Sequence, residues 1–353
     1  MKLCSLRRRP CEMRVAMYYN NRDVRLQEMP KPEIGHGEML VKVIASGICG
    51  SDVMEWYRIK RAPLVLGHEI AGDIAEVGKD VKRYKVGQRV FVSHHVPCMK
   101  CRYCLDGHES TCDTLRTTNF FPGGFAEYVR VPEINIEHGV YVLPKELTYD
   151  DGSFIEPVAC VVRGLRSIDF QPGKTVLVLG SGIAGLLNIK AAKAYGAGRI
   201  IATDINDYRM KAAERFGADV VMRGTDDVPA LVKKANEGRG ADYVIVCAGA
   251  TQAMKQAFRS VDRGGKILMF APPMPGVEIP VPFGDLWKDE VMITSTYAGS
   301  PRDIKVAIEL LRTKRLVVSD MVTHRFGLAD TGKGFALVAK AEDSMKVVIE
   351  PQS

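Results

Sequence analysis

Four cysteines lie close together with the spacing of a metal-binding lobe. They are Cys98, Cys101, Cys104 and Cys112, separated by two, two and seven residues. Four thiolates at such spacing bind a tetrahedral Zn²⁺ in a closed site, which leaves no position for a substrate. An iron–sulfur cluster is the competing interpretation, because thiolates at short spacing also hold one.

A glycine motif follows the apolar run 174–179 and opens a segment with helical character. It reads G-x-G-x-x-G, which allows a tight turn, a close approach to a pyrophosphate and close packing of the helix on the strand. The free N–H groups of the helix N-terminus then favour the phosphate charge. Dinucleotide contacts are predicted at Gly180, Gly182, Ile183, Ala184 and Gly185. The motif predicts a protein that binds a nicotinamide dinucleotide, and the sequence shows no flavin site. We therefore favour zinc over an iron–sulfur cluster in the cysteine lobe.

An acidic residue, Asp204, ends the next apolar run, nineteen residues after Gly185. A carboxylate there can accept hydrogen bonds from the ribose hydroxyls, and it repels a 2′-phosphate, which needs a basic partner. The neighbours Asn206 and Asp207 are not basic, and we expect Arg209 to stack on the adenine or to pair locally. NAD is therefore predicted as the cofactor.

A second set of metal-ligand types is dispersed along the chain. Cys49 lies in a glycine-flanked turn, His68 and Glu69 follow Gly67, and Glu156 precedes a proline. One Cys, one His and one or two carboxylates are typical of an open, catalytic zinc site. On spacing alone, Cys49 could equally be a packed core thiol and His68 an ordinary structural histidine.

The elements that must position these residues change in kind near residue 157. Before it, β-type runs such as 39–45, 72–77 and 89–92 are punctuated by Gly and Pro, which predicts a strand-and-loop domain. After it, strands alternate with helices, which predicts a parallel sheet with right-handed crossovers and an α/β fold. The predicted strands are 174–179, 199–203, 218–222, 242–247, 266–271 and 291–296, and the predicted helices are 185–195, 207–216, 228–237, 251–261 and 301–313.

Composition narrows the class of protein. The 353 residues are 46% hydrophobic and 26% charged, which excludes a disordered, collagen-like or coiled-coil chain and suggests two domains. No apolar run reaches the ~20 residues that span a bilayer, so no membrane partner is expected. A cytoplasmic protein is predicted, in which the nine cysteines stay reduced.

The net charge of +7 does not indicate nucleic-acid binding. Residues 1–12 carry a net +3, which leaves +4 on the rest of the chain, and no basic run is interleaved with aromatic residues. Residues 1–12 are interpreted as a tail or a misassigned start, because strand-like sequence begins only at Met13.

Together these motifs resemble the zinc-dependent medium-chain alcohol dehydrogenases, in particular the sorbitol (polyol) and threonine dehydrogenase group. The matching segments are Gly-Ile-Cys-Gly-Ser-Asp at 47–52, Gly-His-Glu at 67–69, the four-cysteine lobe, Glu-Pro at 156–157 and Gly-Ser-Gly-Ile-Ala-Gly at 180–185. The resemblance runs from about Met13 to the C-terminus. It implies a mostly-β GroES-like catalytic domain over 1–157 and 299–353, and a Rossmann NAD-binding domain with a doubly wound parallel sheet over 158–298.

The resemblance also implies roles for individual residues. Cys49, His68 and a carboxylate from Glu69 or Glu156 would bind a catalytic zinc, while the cysteine lobe holds a second, structural zinc. Ser51 matches the hydroxyl residue that passes a proton from the alcohol towards solvent. His95 matches a substrate-influencing histidine of threonine dehydrogenases, although it could equally cap the lobe. Contacts on the nicotinamide side would come from Phe270, Ala271, Pro272, Thr296, Tyr297 and Ala298.

The implied activity is hydride transfer between a secondary alcohol, such as a polyol or cyclitol, and NAD. The alternatives are a threonine-like amino-alcohol or cyclic hydroxyacyl dehydrogenase, and a non-catalytic dinucleotide-binding relative. Met54 and Glu55 stand where sorbitol-type enzymes have His and Tyr, and Ala298-Gly299 replaces an Arg-Tyr pair, which argues against sorbitol itself. An edge strand over 285–297 is expected to pair with its copy, giving a homodimer or homotetramer.

Overall fold

The structure is a computed structural model, which describes residues 12–341 and 343–353. The interpretation of residues 1–12 as a tail or misassigned start therefore lies outside the described residues, apart from Glu12, which begins the first strand. In the described part of the chain, no helix combines the length and the apolar character needed to cross a membrane.

The first part of the chain is built from antiparallel strands joined by loops and short helices. Its strands are β1 (Glu12–Asn20), β2 (Asp23–Pro30), β3 (Met39–Gly47), β4 (Leu64–Val65), β5 (Glu69–Val77), β6 (Arg89–Ser93), β7 (Tyr128–Val131) and β8 (Val140–Val142). Its helices are α1 (Glu55–Arg58), α2 (Arg102–Leu105), α3 (Asp113–Thr117), α4 (Glu133–Gly139) and α5 (Tyr149–Ser153). β2, β1 and β4 form a small sheet of their own.

The middle of the chain alternates strands and helices. It comprises α6 (Ile155–Ser167), β9 (Thr175–Leu179), α7 (Ile183–Ala194), β10 (Arg199–Asp204), α8 (Asp207–Phe216), β11 (Val220–Arg223), α9 (Val228–Ala235), β12 (Ala241–Val246), α10 (Thr251–Ser260), β13 (Val261–Met269), α11 (Phe283–Lys288) and β14 (Met292–Ser295). The strands are parallel and lie in the order β11-β10-β9-β12-β13-β14. This is the classic Rossmann order, and it confirms the predicted α/β sheet.

The end of the chain returns to the first sheet. It comprises α12 (Pro301–Arg312), β15 (Val322–Gly327), α13 (Thr331–Lys340) and β16 (Lys346–Glu350). β16 pairs with β3, so the larger mixed sheet has the order β15-β16-β3-β5-β6-β8, with β7 also paired to β3. Residues far apart in sequence, near positions 47, 69 and 346, thereby become neighbours.

Helix α6 connects the two large sheets. Its buried residues Val158, Val161, Val162 and Leu165 recur at helical spacing, which gives the helix an apolar face. This face packs in a single hydrophobic core with side chains from both sides: Phe91 on β6, Val176 on β9 and Ile304 on α12. Burying this face stabilises the helix and fixes Glu156, in its first turn, between the sheets.

One predicted element is wrong in part. The segment 285–297 was expected to be an edge strand, but residues Phe283–Lys288 form helix α11 and only Met292–Ser295 form a strand. Pro282 precedes the helix, and the negative charge of Asp285 in its first turn stabilises the helix by interacting with the positive end of the helix dipole. β14 does lie at the edge of the parallel sheet, where it pairs with β13 alone.

Candidate active site

Cys49, His68 and Glu69 converge because β3 and β5 are paired. Gly47 ends β3 opposite Glu69 at the start of β5, so the chain just beyond β3 lies beside the chain just before β5. One potential ligand atom from each of the three residues lies within 4.8 Å of the other two. A thiolate, an imidazole and a carboxylate at this separation fit a zinc ion, which binds at about 2.0–2.3 Å from each ligand type.

A buried carboxylate, Asp52, supports this cluster from behind. It accepts a hydrogen bond from the Cys49 backbone N–H at 3.0 Å, and its Oδ1 lies 3.2 Å from His68 Nδ1. Burial alone would raise the pKa of Asp52, but His68 and Arg58 together bring that pKa below its ordinary value. The carboxylate fixes the His68 ring, so that Nε2 is the nitrogen left for a metal.

Glu69 forms a buried ion pair with Lys346, and both side chains are only 1% exposed. The Lys346 Nζ donates to Glu69 Oε2 and lies 3.4 Å from the Ile48 carbonyl oxygen. A Cβ at Gly47 would lie 2.3 Å from Glu69 Oε2 and 2.6 Å from Lys346 Cε, so only glycine leaves room for this pair. The hydrogen bond from Lys346 is therefore to Oε2 of Glu69 and not to Oε1.

Glu156 does not join this cluster among the described residues. Its Oε1 accepts from the Cys160 thiol at 3.4 Å, one helical turn further along α6. Burial raises the pKa of Glu156, and Glu69 adds to the effect, whereas His68 and Lys346 oppose it. The structure therefore places Glu156 near the cluster and groups Glu69 with Cys49 and His68.

The predicted cysteine lobe is assembled. Ligand atoms of Cys98, Cys101, Cys104 and Cys112 all lie within 4.8 Å of one another. The sulfurs of Cys101 and Cys104 are 3.5 Å apart, and those of Cys98 and Cys112 are 3.7 Å apart. Zn–S bonds of about 2.3 Å in a tetrahedron place neighbouring sulfurs about 3.8 Å apart, so the four thiols fit a closed zinc site.

Buried charges attach the lobe to the rest of the molecule. Glu109, which is 2% exposed, lies 3.2 Å from Arg163 on α6. Asp303, at the start of α12, binds Arg166 at 3.0 Å and lies 3.8 Å from Arg163. These pairs join the lobe, α6 and α12 into one network of charges. Removing either partner of a pair would leave a buried charge unpaired, which is strongly destabilising.

The glycine motif forms the predicted strand–turn–helix. Gly180 has a left-handed φ of 94°, and its N–H donates to the Thr203 carbonyl at 3.0 Å. A Cβ at Gly185 would lie 1.9 Å from the Gly180 carbonyl oxygen, which explains the third glycine. Gly182 precedes α7, whose first turn begins with Ile183 and Ala184 and presents free N–H groups. The loop fits a pyrophosphate.

Asp204 lies at the carboxyl end of β10, beside this loop, and is 8% exposed. Its Oδ2 accepts from the Ser181 N–H at 2.7 Å. Its Oδ1 accepts from the N–H groups of Ile205 and Asn206 at 2.8 and 2.9 Å. These bonds fix the Asp204 carboxylate next to the glycine turn. Arg209 reaches back over the turn, with Nη1 3.8 Å from the position a Gly182 Cβ would take and with a buried Nε that has no hydrogen-bond partner among the residues the structure describes.

The remaining predicted cofactor residues follow the ends of β13 and β14, at the same edge of the sheet as the glycine loop. The N–H groups of Phe270 and Ala271 both donate to the Val246 carbonyl at 3.0 Å, and Pro272 comes next. The buried Thr296 hydroxyl oxygen has no hydrogen-bond partner in the described part of the chain. Ala298 packs against the cysteine lobe and, with Gly299, lines a small cavity beside His95 and Glu156.

Two histidines lie beside the Cys49–His68–Glu69 cluster: His95, for which the sequence leaves a substrate-side role and a cap of the cysteine lobe equally open, and His94, which the sequence does not single out. The ring of His94 is 4.7 Å from that of His68, and the His95 ring is 3.8 Å from His94. Burial, then the neighbouring His68 and Arg58, lower the pKa of His95 to about 4. Burial also brings the pKa of His94 well below its ordinary value. Both rings are therefore neutral at pH 7.

A pair of tyrosines links the cluster to the nicotinamide side. The Tyr297 ring, which follows β14, lies 6.1 Å from the His95 ring. Burial and the neighbouring Tyr57 hydroxyl raise the pKa of Tyr297 to about 12. The sequence carried no signal for Tyr57 or His94, because only the folded chain brings α1 and the end of β6 to this cleft.

A Rossmann sheet with a pyrophosphate loop, beside a Cys–His–Glu cluster and a closed four-thiol lobe, defines a class of protein. It is the class of metal-dependent oxidoreductases that use a nicotinamide dinucleotide. Two family models match the chain, the Alcohol dehydrogenase GroES-like domain over residues 35–144 and Zinc-binding dehydrogenase over residues 184–313. The chain belongs to the zinc-dependent alcohol dehydrogenase family.

Individual relatives agree over nearly the whole length. The sorbitol dehydrogenase of Bacillus subtilis (strain 168) is 33% identical over 97% of this chain and 98% of that protein. A putative zinc-binding dehydrogenase from Sinorhizobium meliloti 1021, bound to NADP, has a TM-score of 0.85 and 26% identity over 97% of this chain and 100% of that chain. An alcohol dehydrogenase from Escherichia coli CFT073, complexed with NADH, has a TM-score of 0.85 and 25% identity over 96% and 99%. The predicted family and fold are thus confirmed.

Proposed function

We propose that the chain is an NAD-dependent dehydrogenase of secondary alcohols, with polyols and cyclitols as the substrate class. The observation that carries the proposal is the convergence of Cys49, His68 and Glu69, next to a dinucleotide loop. His95 and Tyr297 join the two parts across the cleft. The similarity to a sorbitol dehydrogenase supports the substrate class, the NADH and NADP complexes of two structural neighbours support a nicotinamide dinucleotide, and the choice of NAD rests on Asp204.

Each group in the cleft has a part in this reaction. When bound, zinc lowers the pKa of a substrate hydroxyl as a Lewis acid, and the nicotinamide accepts hydride. Cys49, His68 and Glu69 would hold the metal, with Asp52 beside the His68 ring to orient it. The neutral rings of His94 and His95 lie beside His68 and add no charge there. Ser51 has the part that the family resemblance implies, which is to pass the proton of the alcohol towards solvent.

Glu69 is the proposed third protein ligand of the catalytic zinc. One of its carboxylate oxygens shares the cluster with Cys49 and His68, and Lys346 donates a hydrogen bond to its Oε2. Glu156 is instead bonded to Cys160 and lines the cavity beside His95. We therefore place Glu156 on the substrate side of the site, as the alternative to Glu69 for the third zinc ligand.

The direct test of the activity is a screen of NAD and NADP reduction, read at 340 nm, across polyols, cyclitols, threonine and simple secondary alcohols. We expect the fastest reduction with a polyol or cyclitol. Threonine as the best substrate would replace the proposed substrate class by the amino-alcohol alternative. No reduction with any alcohol, by protein carrying its full zinc, would favour a dinucleotide-binding protein without catalysis.

Two zinc ions per chain are expected, with different exchange behaviour. The four-thiol lobe is closed and should resist chelation, whereas the Cys49 cluster is open to the cleft and should exchange. Elemental analysis should give about two zincs per chain before brief chelation and about one after it, with activity lost in step. Glu69→Gln should speed this loss much more than Glu156→Gln. A chain that keeps full activity after losing its labile zinc would contradict the assignment.

A homodimer formed through the edge of the parallel sheet is expected. β14 exposes Met292 and Ile293, and the preceding α11 exposes Phe283 and Trp287, at 69% and 70%. Such an unpaired apolar edge tends to pair with a copy of itself. Sedimentation should show a dimer or tetramer at micromolar concentration, and Ile293→Lys should shift it towards monomer. Val86→Lys, at an exposed apolar residue elsewhere, serves as the control; a monomeric wild type would exclude this assembly.

The pairing of β16 with β3 supports the proposed domain division, a catalytic domain over 1–157 and 299–353 around a Rossmann domain over 158–298. A cytoplasmic location is proposed with it, since both predicted zinc sites need reduced thiols.

A further inference from the structure

Arg58, at the end of α1, reaches back to the turn that carries Cys49. Its Nε donates to the Ser51 carbonyl oxygen at 2.9 Å, and its Nη2 donates to Ser51 Oγ at 3.0 Å. The guanidinium also lies 3.5 Å from Asp52 Oδ1 and over the Tyr57 ring, 4.6 Å from its centroid. The Arg58 side chain is 14% exposed. These interactions hold a permanent positive charge against one serine hydroxyl.

The hydrogen-bonding capacity of the two groups decides which way this hydroxyl points. A guanidinium has five donors and no acceptor, and it keeps its charge at any physiological pH. Because Nη2 already donates to Ser51 Oγ, the Ser51 proton must point away from Arg58. Within the described residues, the Ser51 hydroxyl donates to no other group. The Ser51 N–H lies 3.5 Å from Cys49 Sγ, so Ser51 borders the Cys49–His68–Glu69 cluster.

We propose that Arg58 is a positioning residue, which fixes the Ser51 hydroxyl as a hydrogen-bond donor to the substrate oxygen. The proposal rests on the proposed function, because it requires an alcohol whose oxygen becomes negatively charged beside Ser51. A pre-aligned donor stabilises charge that develops in the transition state more than charge in the ground state. Arg58 cannot receive a proton from Ser51, so this contact orients and polarises the hydroxyl. The proton that the alcohol loses passes to the half-buried Ser51 hydroxyl as Ser51 releases its own proton to water, and Ser51 then donates the hydrogen it has received to the alkoxide oxygen.

A competing role for Arg58 follows from its second contact. The guanidinium also faces Asp52, whose carboxylate lies against His68. If Arg58 acted through Asp52, its loss would weaken metal binding. If it acts through Ser51, its loss should leave the metal in place and slow the hydride step. Metal retention therefore separates the two roles without relying on activity.

The test compares Arg58→Met, Arg58→Lys, Ser51→Ala and the double variant Ser51→Ala/Arg58→Met, with the best alcohol from the reduction screen. We expect Arg58→Met to lower kcat by about 10- to 100-fold, with a smaller change in KM for the alcohol. Arg58→Lys should recover part of the loss, because an ammonium can still donate to Ser51 Oγ. The isotope effect on kcat with an alcohol deuterated at the reacting carbon should rise in Arg58→Met, as the hydride step becomes limiting.

The double variant gives the decisive comparison. If Arg58 acts through Ser51, Arg58→Met should have little further effect once Ser51 is Ala, so the two losses are not additive. Zinc content and its resistance to chelation should match the wild type in all the Arg58 variants, with Asp52→Asn as the comparison that loses metal faster.

Several results would overturn this role. Additive losses in kcat, in which Arg58→Met slows the Ser51→Ala enzyme as much as it slows the wild type, would show that Arg58 acts elsewhere. Zinc loss in both Arg58 variants would assign Arg58 to Asp52 and the metal. An active wild type that loses nothing in Arg58→Met refutes the Arg58 role alone, whereas a zinc-loaded wild type without any dehydrogenase activity refutes the proposed function as well.

Discussion

Cys49→Ser and His68→Ala are each expected to abolish turnover while leaving dinucleotide binding nearly unchanged. Lewis-acid stabilisation by a bound metal is worth several kcal/mol, and each 1.36 kcal/mol is a factor of ten, so the loss in kcat should be about 1,000-fold or more. The glycine loop and Asp204 lie on separate elements from the β3–β5 junction, so the dinucleotide site should survive.

Three measurements check this expectation: kcat, zinc content, and dinucleotide affinity by fluorescence titration. Zinc should fall from about two ions per chain to about one, since the cysteine lobe is untouched. Cys160→Ser is the matched control, because it alters a second half-buried thiol near the cluster that is bonded to Glu156 and is not grouped with the ligands. A Cys49 variant that keeps both zincs and its turnover would mean that the metal lies elsewhere, and a parallel loss of dinucleotide affinity would undo the two-site picture.

The sequence predicted local geometry well and long-range geometry poorly, for a physical reason. The cysteine lobe and the glycine loop are each made by fewer than twenty consecutive residues, so their spacing already encodes their shape. Asp204 could also be located, because parallel strands end at one edge of the sheet. By contrast, Lys346 is 277 residues from Glu69 and reaches it only because β16 pairs with β3.

The choice between two acids also required the folded chain. Glu69 and Glu156 are both plausible ligands in the sequence, since each adjoins a family motif. The register of β3 with β5 brings Glu69 to Cys49, while the packing of α6 turns Glu156 towards Cys160. Residue spacing contains neither the strand register nor the helix rotation. The same holds for Arg58, whose contact with Ser51 depends on a single turn of helix.

The cofactor preference is the second large expected effect, and Asp204 is the residue that determines it. We expect NAD to be preferred over NADP by at least about 100-fold in kcat/KM. The Asp204 carboxylate is held by hydrogen bonds beside the loop, where we expect the adenosine ribose, and it would repel a 2′-phosphate. NADP would also lose a charge-assisted hydrogen bond between the ribose and Asp204, which costs about 1.5–3 kcal/mol. Each 1.4 kcal/mol is a factor of ten in kcat/KM. Arg223, which lies opposite Asp204 on the neighbouring strand, is already paired with Asp207 and bonded to the Ile205 carbonyl.

Asp204→Ala should raise the KM for NAD and shrink the preference, with little change in kcat, because the site of hydride transfer is remote from the adenosine ribose. The same variant also removes the acceptor of the hydrogen bond that the Ser181 N–H donates to Asp204, so Asp204→Asn is the control that keeps an acceptor there and removes the charge. Adding Ile205→Arg to Asp204→Ala should favour NADP further, since Ile205 is 67% exposed and a basic side chain there can reach the phosphate. Steady-state constants for both dinucleotides with all four proteins decide the matter. Comparable kcat/KM values for NAD and NADP in the wild type would mean that the Asp204 carboxylate serves the loop alone and that the ribose binds away from it.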